Sequence, residues 1–161
     1  RLKITPRLTS PPDAKLATSY AQKLIPNFQV QVGHLDHALR SATIAIASTG
    51  TVTMECALFK VPTVALYKTS WATYQIGKRI VTVKYLAMPN LLAGEAVFPE
   101  FVQDAATGTN LAEAALDMLR NPSRRAEIKA KLGNIIGALG ASGANGRAAK
   151  AVWSLLESAR R

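Results

Sequence analysis

The chain has 161 residues, 20 Lys plus Arg against 10 Asp plus Glu, and a formal net charge of +10. That length suits one domain with a real core, and 48% hydrophobic against 19% charged residues excludes a disordered polar chain. No run approaches the roughly 18 apolar residues of a spanning helix, Arg1–Pro6 lacks the apolar centre of a signal peptide, and the single cysteine, Cys56, excludes an internal disulfide. A soluble, basic protein of a reducing compartment, with anionic partners, is the expectation.

In chain order, Leu2–Leu8 reads as a strand and Pro11–Ile25 as a helix, with Ala14, Leu16, Ala17, Tyr20, Ala21 and Leu24 at helical spacing. Phe28–Val32 alternates like a strand and stops at Gly33, and Leu35–Ser41 fits a short helix. Thr43–Ala47 is short, apolar and β-branched, as a buried parallel strand would be. Thr51–Phe59 is a predicted helix, Pro62–Tyr67 a second buried strand, Ala72–Ile80 a helix and Val81–Met88 extended. A loop-rich stretch runs to Gln103, and Asn110–Arg120, Ser123–Leu139 and Gly146–Arg160 read as three successive helices. Strands alternating with helices predict an α/β fold, an open sheet of parallel strands closed by a helical tail. The predicted division is an α/β unit over 1–120 and the helical tail over 121–161.

The charge is unevenly placed. From Cys56 to Gly94 stand Lys60, Lys68, Lys78, Arg79 and Lys84 with no acid, and from Arg120 to Arg161 nine bases face only Glu127 and Glu157. Such surfaces concentrate anions without choosing among phosphates, nucleic acid and acidic lipid. Trp71, Tyr74, Tyr85 and Trp153 are too few near these spans for a single-strand-binding surface, which interleaves aromatics with bases. Nucleic acid is therefore a minor alternative. His34 and His37 with Asp36 between them are too sparse a set to predict a metal centre. No metal or cofactor is expected.

The most informative segment runs from the TIAIA strand through Ser48, Thr49 and Gly50 into the helix at Thr51. Ligands of open α/β sheets collect at the carboxyl ends of strands. The first helical turn there leaves backbone N–H groups and a partial positive charge facing an anion. Gly50 permits close approach of a phosphate to the backbone. Thr49, Thr51 and Thr53 offer hydroxyls, and Glu55 could accept from a ribose diol. The competing reading is plain N-capping by Ser48 or Thr49. The spacing matches neither the P-loop nor G-x-G-x-x-G, so it does not fix the ligand class.

Several blocks in order carry a resemblance: TGTVTMECAL (Thr49–Leu58), PTVALYK (Pro62–Lys68), Thr73-Tyr74, Lys78-Arg79, MPNLLAG (Met88–Gly94) and FPEFVQ (Phe98–Gln103). Together they are similar to the lipid-A-disaccharide synthase family, two-lobed glycosyltransferases of the GT-B type. Thr49 and Met88 stand where the family has Ser and Leu. The resemblance implies a Rossmann-like carboxyl-terminal lobe holding a UDP-sugar donor. Thr49, Gly50 and Thr51 would lie at the diphosphate with Lys68 as a further cation, Glu55 at the ribose, and Asn90 and Gln103 at the donor sugar. Asn90 otherwise reads as a turn or cap residue, Gln103 as a surface amide, and Pro99-Glu100 as structural.

It further implies a hexosyltransferase that moves 2,3-diacylglucosamine from UDP to 2,3-diacylglucosamine 1-phosphate (lipid X). The work would lie at the cytoplasmic face of a Gram-negative inner membrane, with anionic lipid as a partner. The family's amino-terminal lobe, which binds the acceptor and supplies the general base, has no counterpart here, nor has its L-P-G-S-R strand and loop. The expectation is thus a donor lobe lacking its first strand, inactive alone and completed by a partner chain, with a homodimer through Gly146–Arg160 as a further option. The alternative is the donor lobe of a peptidoglycan N-acetylglucosaminyl transferase or a UDP-GlcNAc epimerase, which fit MPNLLAG and FPEFVQ less well.

Overall fold

The structure, a computed structural model, describes residues 33–80, 83–140 and 143–159. The expected elements Leu2–Leu8, Pro11–Ile25 and Phe28–Val32 lie outside these residues. The order is α1 (Leu35–Ser41), β1 (Ala45–Ser48), α2 (Thr51–Leu58), β2 (Thr63–Tyr67), α3 (Trp71–Ile80), α4 (Met88–Ala93) and β3 (Glu100–Val102). A 3-10 turn at Gln103–Ala105 leads to α5 (Gly108–Arg120), α6 (Pro122–Ala138) and α7 (Ala144–Ala159). The three strands form one parallel sheet in the order β1-β2-β3, with Ala45 opposite Thr63 and Ala65 opposite Glu100. This is the expected α/β, Rossmann-like open sheet followed by helices.

The central strand explains the core. Thr63, Val64 and Ala65 of β2 are fully buried, as a strand flanked on both edges and covered on both faces must be. Strand β1, which pairs on one side among the described residues, departs from the two-sided burial expected for it: Ala47 is buried, whereas Ile46 is 51% exposed. Its β-branched run reports strand propensity, and burial depends on what packs on each face. Cys56 and Ala57 of α2 join Phe98, Met118 of α5, and Ile128, Leu132 and Ile135 of α6 in one cluster. Helix α6 packs on α2 and α4, so the first part of the helical tail shares the core of the sheet.

Local chemistry sets the boundaries. Thr107 caps α5 by accepting from Asn110 N, and Asn121 caps α6 by accepting from Arg124 N, with Pro122 first in the helix. Helix α2 ends in a Schellman arrangement: Lys60 N–H donates to Ala57 O and Val61 N–H to Cys56 O, both at 2.9 Å, with Lys60 at φ 53°. Two expectations are corrected between α3 and α5. Met88, expected to end the extended stretch from Val81, opens helix α4, and the supposed loop up to Gln103 contains α4 and β3. Six- and three-residue elements are too short to show a period.

Helix α7 leaves Val152, Trp153, Leu155 and Leu156 more than half exposed. No helix among the described residues is long and apolar enough to cross a membrane.

Candidate functional site

Parallel pairing places the carboxyl ends of all three strands on one edge of the sheet. Thr49, Gly50 and Thr51 follow β1, Lys68, Thr69 and Ser70 follow β2, and Gln103 follows β3. Strand spacing puts Thr49 about 5 Å from the β2 end and about 10 Å from the β3 end. Thr49 N–H donates to Leu66 O at 2.8 Å, extending the ladder by one bond before the chain turns.

Gly50 makes that turn at φ 128°, ψ −159°, a conformation essentially confined to glycine, and it is the N-cap of α2. Among the described residues no side chain caps this helix, so the expected capping by Ser48 or Thr49 is not what forms; Ser48 Oγ bonds Thr49 O instead. Thr53 is also redirected. It is fully buried, and its hydroxyl donates to Gly50 O at 2.7 Å, bracing the turn rather than facing a ligand. Thr51 and Gly50 are exposed and Thr49 half-buried, which leaves the start of α2 open at the sheet edge. Glu55 is half-buried one turn further along α2. Next to it, burial pushes the Cys56 thiol above its ordinary pKa, as expected of a packing cysteine.

Beyond β2, exposed Lys68 precedes Ser70, whose hydroxyl accepts from Thr73 N at 3.2 Å and starts α3. Gln103, expected at the donor sugar or as a surface amide, is half-buried and bonded to both backbone groups of Thr69. Asn90 lies elsewhere. It is fully buried inside α4, where Nδ2 donates to Phe98 O at 2.7 Å and to Glu100 Oε1 at 2.8 Å, and Oδ1 accepts from Phe98 N at 2.7 Å. These partners lie at the start of β3, the opposite end of that strand from Gln103.

The structure therefore brings Thr49, Gly50, Thr51, Lys68 and Gln103 to one edge, keeps Glu55 a turn away on α2, and seats Asn90 in the core. Sequence reasoning missed the reach of Glu100. Its carboxylate accepts from Leu86 N at 2.9 Å, Ala87 N at 2.8 Å and the Asn90 amide, fixing the start of α4. The signal available was the pairing of Pro-Asn and Pro-Glu ten residues apart. His34, Asp36 and His37 do cluster, with ligand atoms within 4.8 Å of one another, at the start of the seven-residue α1.

Arranged this way, the edge offers open helix amides, a glycine turn, two exposed or half-exposed threonines and a lysine: donors suited to an anionic oxygen cluster. Comparison with known proteins gives the family. A family model described as lipid-A-disaccharide synthetase matches residues 4–152. The lipid-A-disaccharide synthase of Solibacter usitatus is 38% identical over 150 residues, 91% of this chain and 39% of that protein. That of Alkalilimnicola ehrlichii is 39% identical over 124 residues, 77% of this chain and 32% of its own length. A Coxiella burnetii relative of the same name is 34% identical over 133 residues, covering 83% and 35%. The chain thus spans less than two fifths of the length of the relatives it matches, and across nearly all of its own length it belongs to the lipid-A-disaccharide synthase family of glycosyltransferases.

Proposed function

We propose that this chain is the UDP-sugar-binding portion of a lipid-A-disaccharide synthase, which transfers 2,3-diacylglucosamine from UDP to 2,3-diacylglucosamine 1-phosphate. The observation that supports this reading best is that the family match spans the segment whose strand ends gather Thr49–Thr51 and Lys68 on one edge. The uncapped start of α2 and the Lys68 ammonium would hold the diphosphate, with Glu55 accepting from the ribose. Gln103 borders the site through the Thr69 backbone that it holds, whereas Asn90 holds the Phe98 backbone in the core.

In the reaction, an acceptor hydroxyl attacks the anomeric carbon. The new C–O bond forms as the bond to UDP breaks, and UDP leaves with the electron pair. The hydroxyl proton passes to a general base supplied by the part of the family outside this match. The amides and Lys68 stabilise charge growing on the departing diphosphate, which requires no metal. Residues 1–120 would carry the donor portion, with 121–161 bracing it. The basic spans would hold the protein to anionic lipid at the cytoplasmic face of the inner membrane. The exposed face of α7 would meet the family's amino-terminal lobe, a partner chain or a second copy.

The test is titration with UDP and, separately, with single-stranded DNA at two salt concentrations. Saturable UDP binding, weakened about tenfold by Glu55→Ala through loss of a charge-assisted bond, supports the reading. A folded sample that binds no UDP refutes it. Steeply salt-dependent DNA binding in its place would mark a nucleic-acid surface.

A further inference from the structure

The β2–β3 ladder ends with Tyr67 opposite Val102, yet the chain beyond β2 is still held. Gln103 turns its backbone into the left-handed region at φ 51°, a conformation that non-glycine residues keep only where their surroundings impose it. Its side chain shows what imposes it here. Thr69 N–H donates to Gln103 Oε1 at 2.7 Å, and Gln103 Nε2 donates to Thr69 O at 3.1 Å. A side-chain amide thus continues the pairing where the ladder stops, bonding both backbone groups of a residue two positions past it. Lys68 is caught between the last rung at Tyr67 and this clasp at Thr69. On the far side Ser70 is committed to α3 through Thr73 N and Thr73 Oγ1.

We infer that Gln103 is a positioning residue: it fixes the backbone after Lys68, as the last ladder rung at Tyr67 fixes the backbone before it, so that this ammonium stands at the phosphate end of the edge, and it acts without touching the donor. The inference rests on the donor-site reading and adds to it a route by which Gln103 serves that site. Both amide polarities are used on Thr69, so the backbone that Gln103 holds sets the orientation of its side chain.

Gln103→Glu keeps the size and the bond from Thr69 N–H but sets a carboxylate oxygen against Thr69 O. The experiment measures UDP affinity for the full chain, Lys68→Ala, Gln103→Glu and the double variant. Each single change is expected to weaken UDP about tenfold, and the double variant no more than either one, because both remove the same ammonium contact. UDP binding by Gln103→Glu within twofold of the unaltered chain, or losses that multiply in the double variant, overturns the inference, the second outcome showing that Gln103 acts independently of Lys68. Amide exchange at Thr69, read without UDP, tests the clasp by itself: exchange about tenfold faster in Gln103→Glu supports it, and unchanged exchange overturns it. Failure of the unaltered chain to bind UDP overturns the donor-site reading and this inference with it, a result distinct from all the others.

Discussion

Asn90→Asp exchanges one NH2 group for one oxygen at a position with no solvent exposure. In the native site Nδ2 donates at 2.7 Å to Phe98 O and at 2.8 Å to Glu100 Oε1. An ionised carboxylate would turn both bonds into oxygen–oxygen contacts. The folded chain escapes this by taking up a proton. Doing so at pH 7, from an ordinary carboxyl pKa near 3.9, costs about 4 kcal/mol. The protonated acid has one O–H where the amide had two N–H donors, so one acceptor loses its bond, for about 1–3 kcal/mol more. The expected loss at pH 7 is about 5–7 kcal/mol, comparable with the whole stability of a domain. The sign of the pH dependence follows. The folded variant holds a proton that the unfolded chain has released above about pH 4, so the variant gains on the native protein as pH falls, by about 1.4 kcal/mol per unit. Moving from pH 7 to pH 5 should return about 2.7 kcal/mol. Asn90→Ala supplies the control. It removes the same bonds without a titrating group and should lose about 2–4 kcal/mol at either pH. Urea unfolding of the three proteins at pH 7 and pH 5 decides the matter. A loss for Asn90→Asp below about 1 kcal/mol at pH 7, or the same loss at both values, would refute the buried-amide argument.

Three further outcomes can be checked on the same material. Gly50→Ala should lower stability by about 1–3 kcal/mol in thermal melts, because φ 128°, ψ −159° excludes a Cβ on conformational grounds although nothing stands within 4 Å of one. An unchanged melting temperature would mean that the turn readily adopts another conformation. Lys60→Gly should raise stability by about 0.5–1 kcal/mol, since Lys60 at φ 53° fills the glycine position of the Schellman turn. A fall would show that its side chain, which passes within 3.8 Å of a Cβ built on Gly133, contributes more than the strain costs. Cys56, 1% exposed and with its thiol pushed up by burial, should react with a thiol reagent at pH 8 about a hundredfold slower than in the unfolded chain. Equal rates in the native and unfolded protein would place it at the surface.

What the sequence made legible divides along a physical line. Patterns that repeat within a window, such as the apolar run of β2 or the capped starts of α5 and α6, are local, and the chain announces them to within two residues. The six-residue α4 and three-residue β3 carry no period, and their form is decided by partners distant in sequence: Glu100 reaches back to Leu86, Ala87 and Asn90, and Ala65 N–H donates to Pro99 O. The edge that gathers Thr49–Thr51 and Lys68 was legible for the same local reason, because a strand running into small residues and a helix marks its own carboxyl end. The orientation of polar side chains was not. Thr53 by its type, and Asn90 and Gln103 by the family resemblance, read as groups facing a ligand, and each instead directs hydrogen bonds at backbone. Amides and hydroxyls at the ends of strands face a competition between ligand and unpaired main chain. A buried backbone group without a partner costs more than a solvated side chain gains from a ligand, so the main chain wins first claim. A polar residue in a family motif beside such an edge is therefore as consistent with holding the site's backbone as with touching what binds there, and only its hydrogen-bond partners tell the two apart.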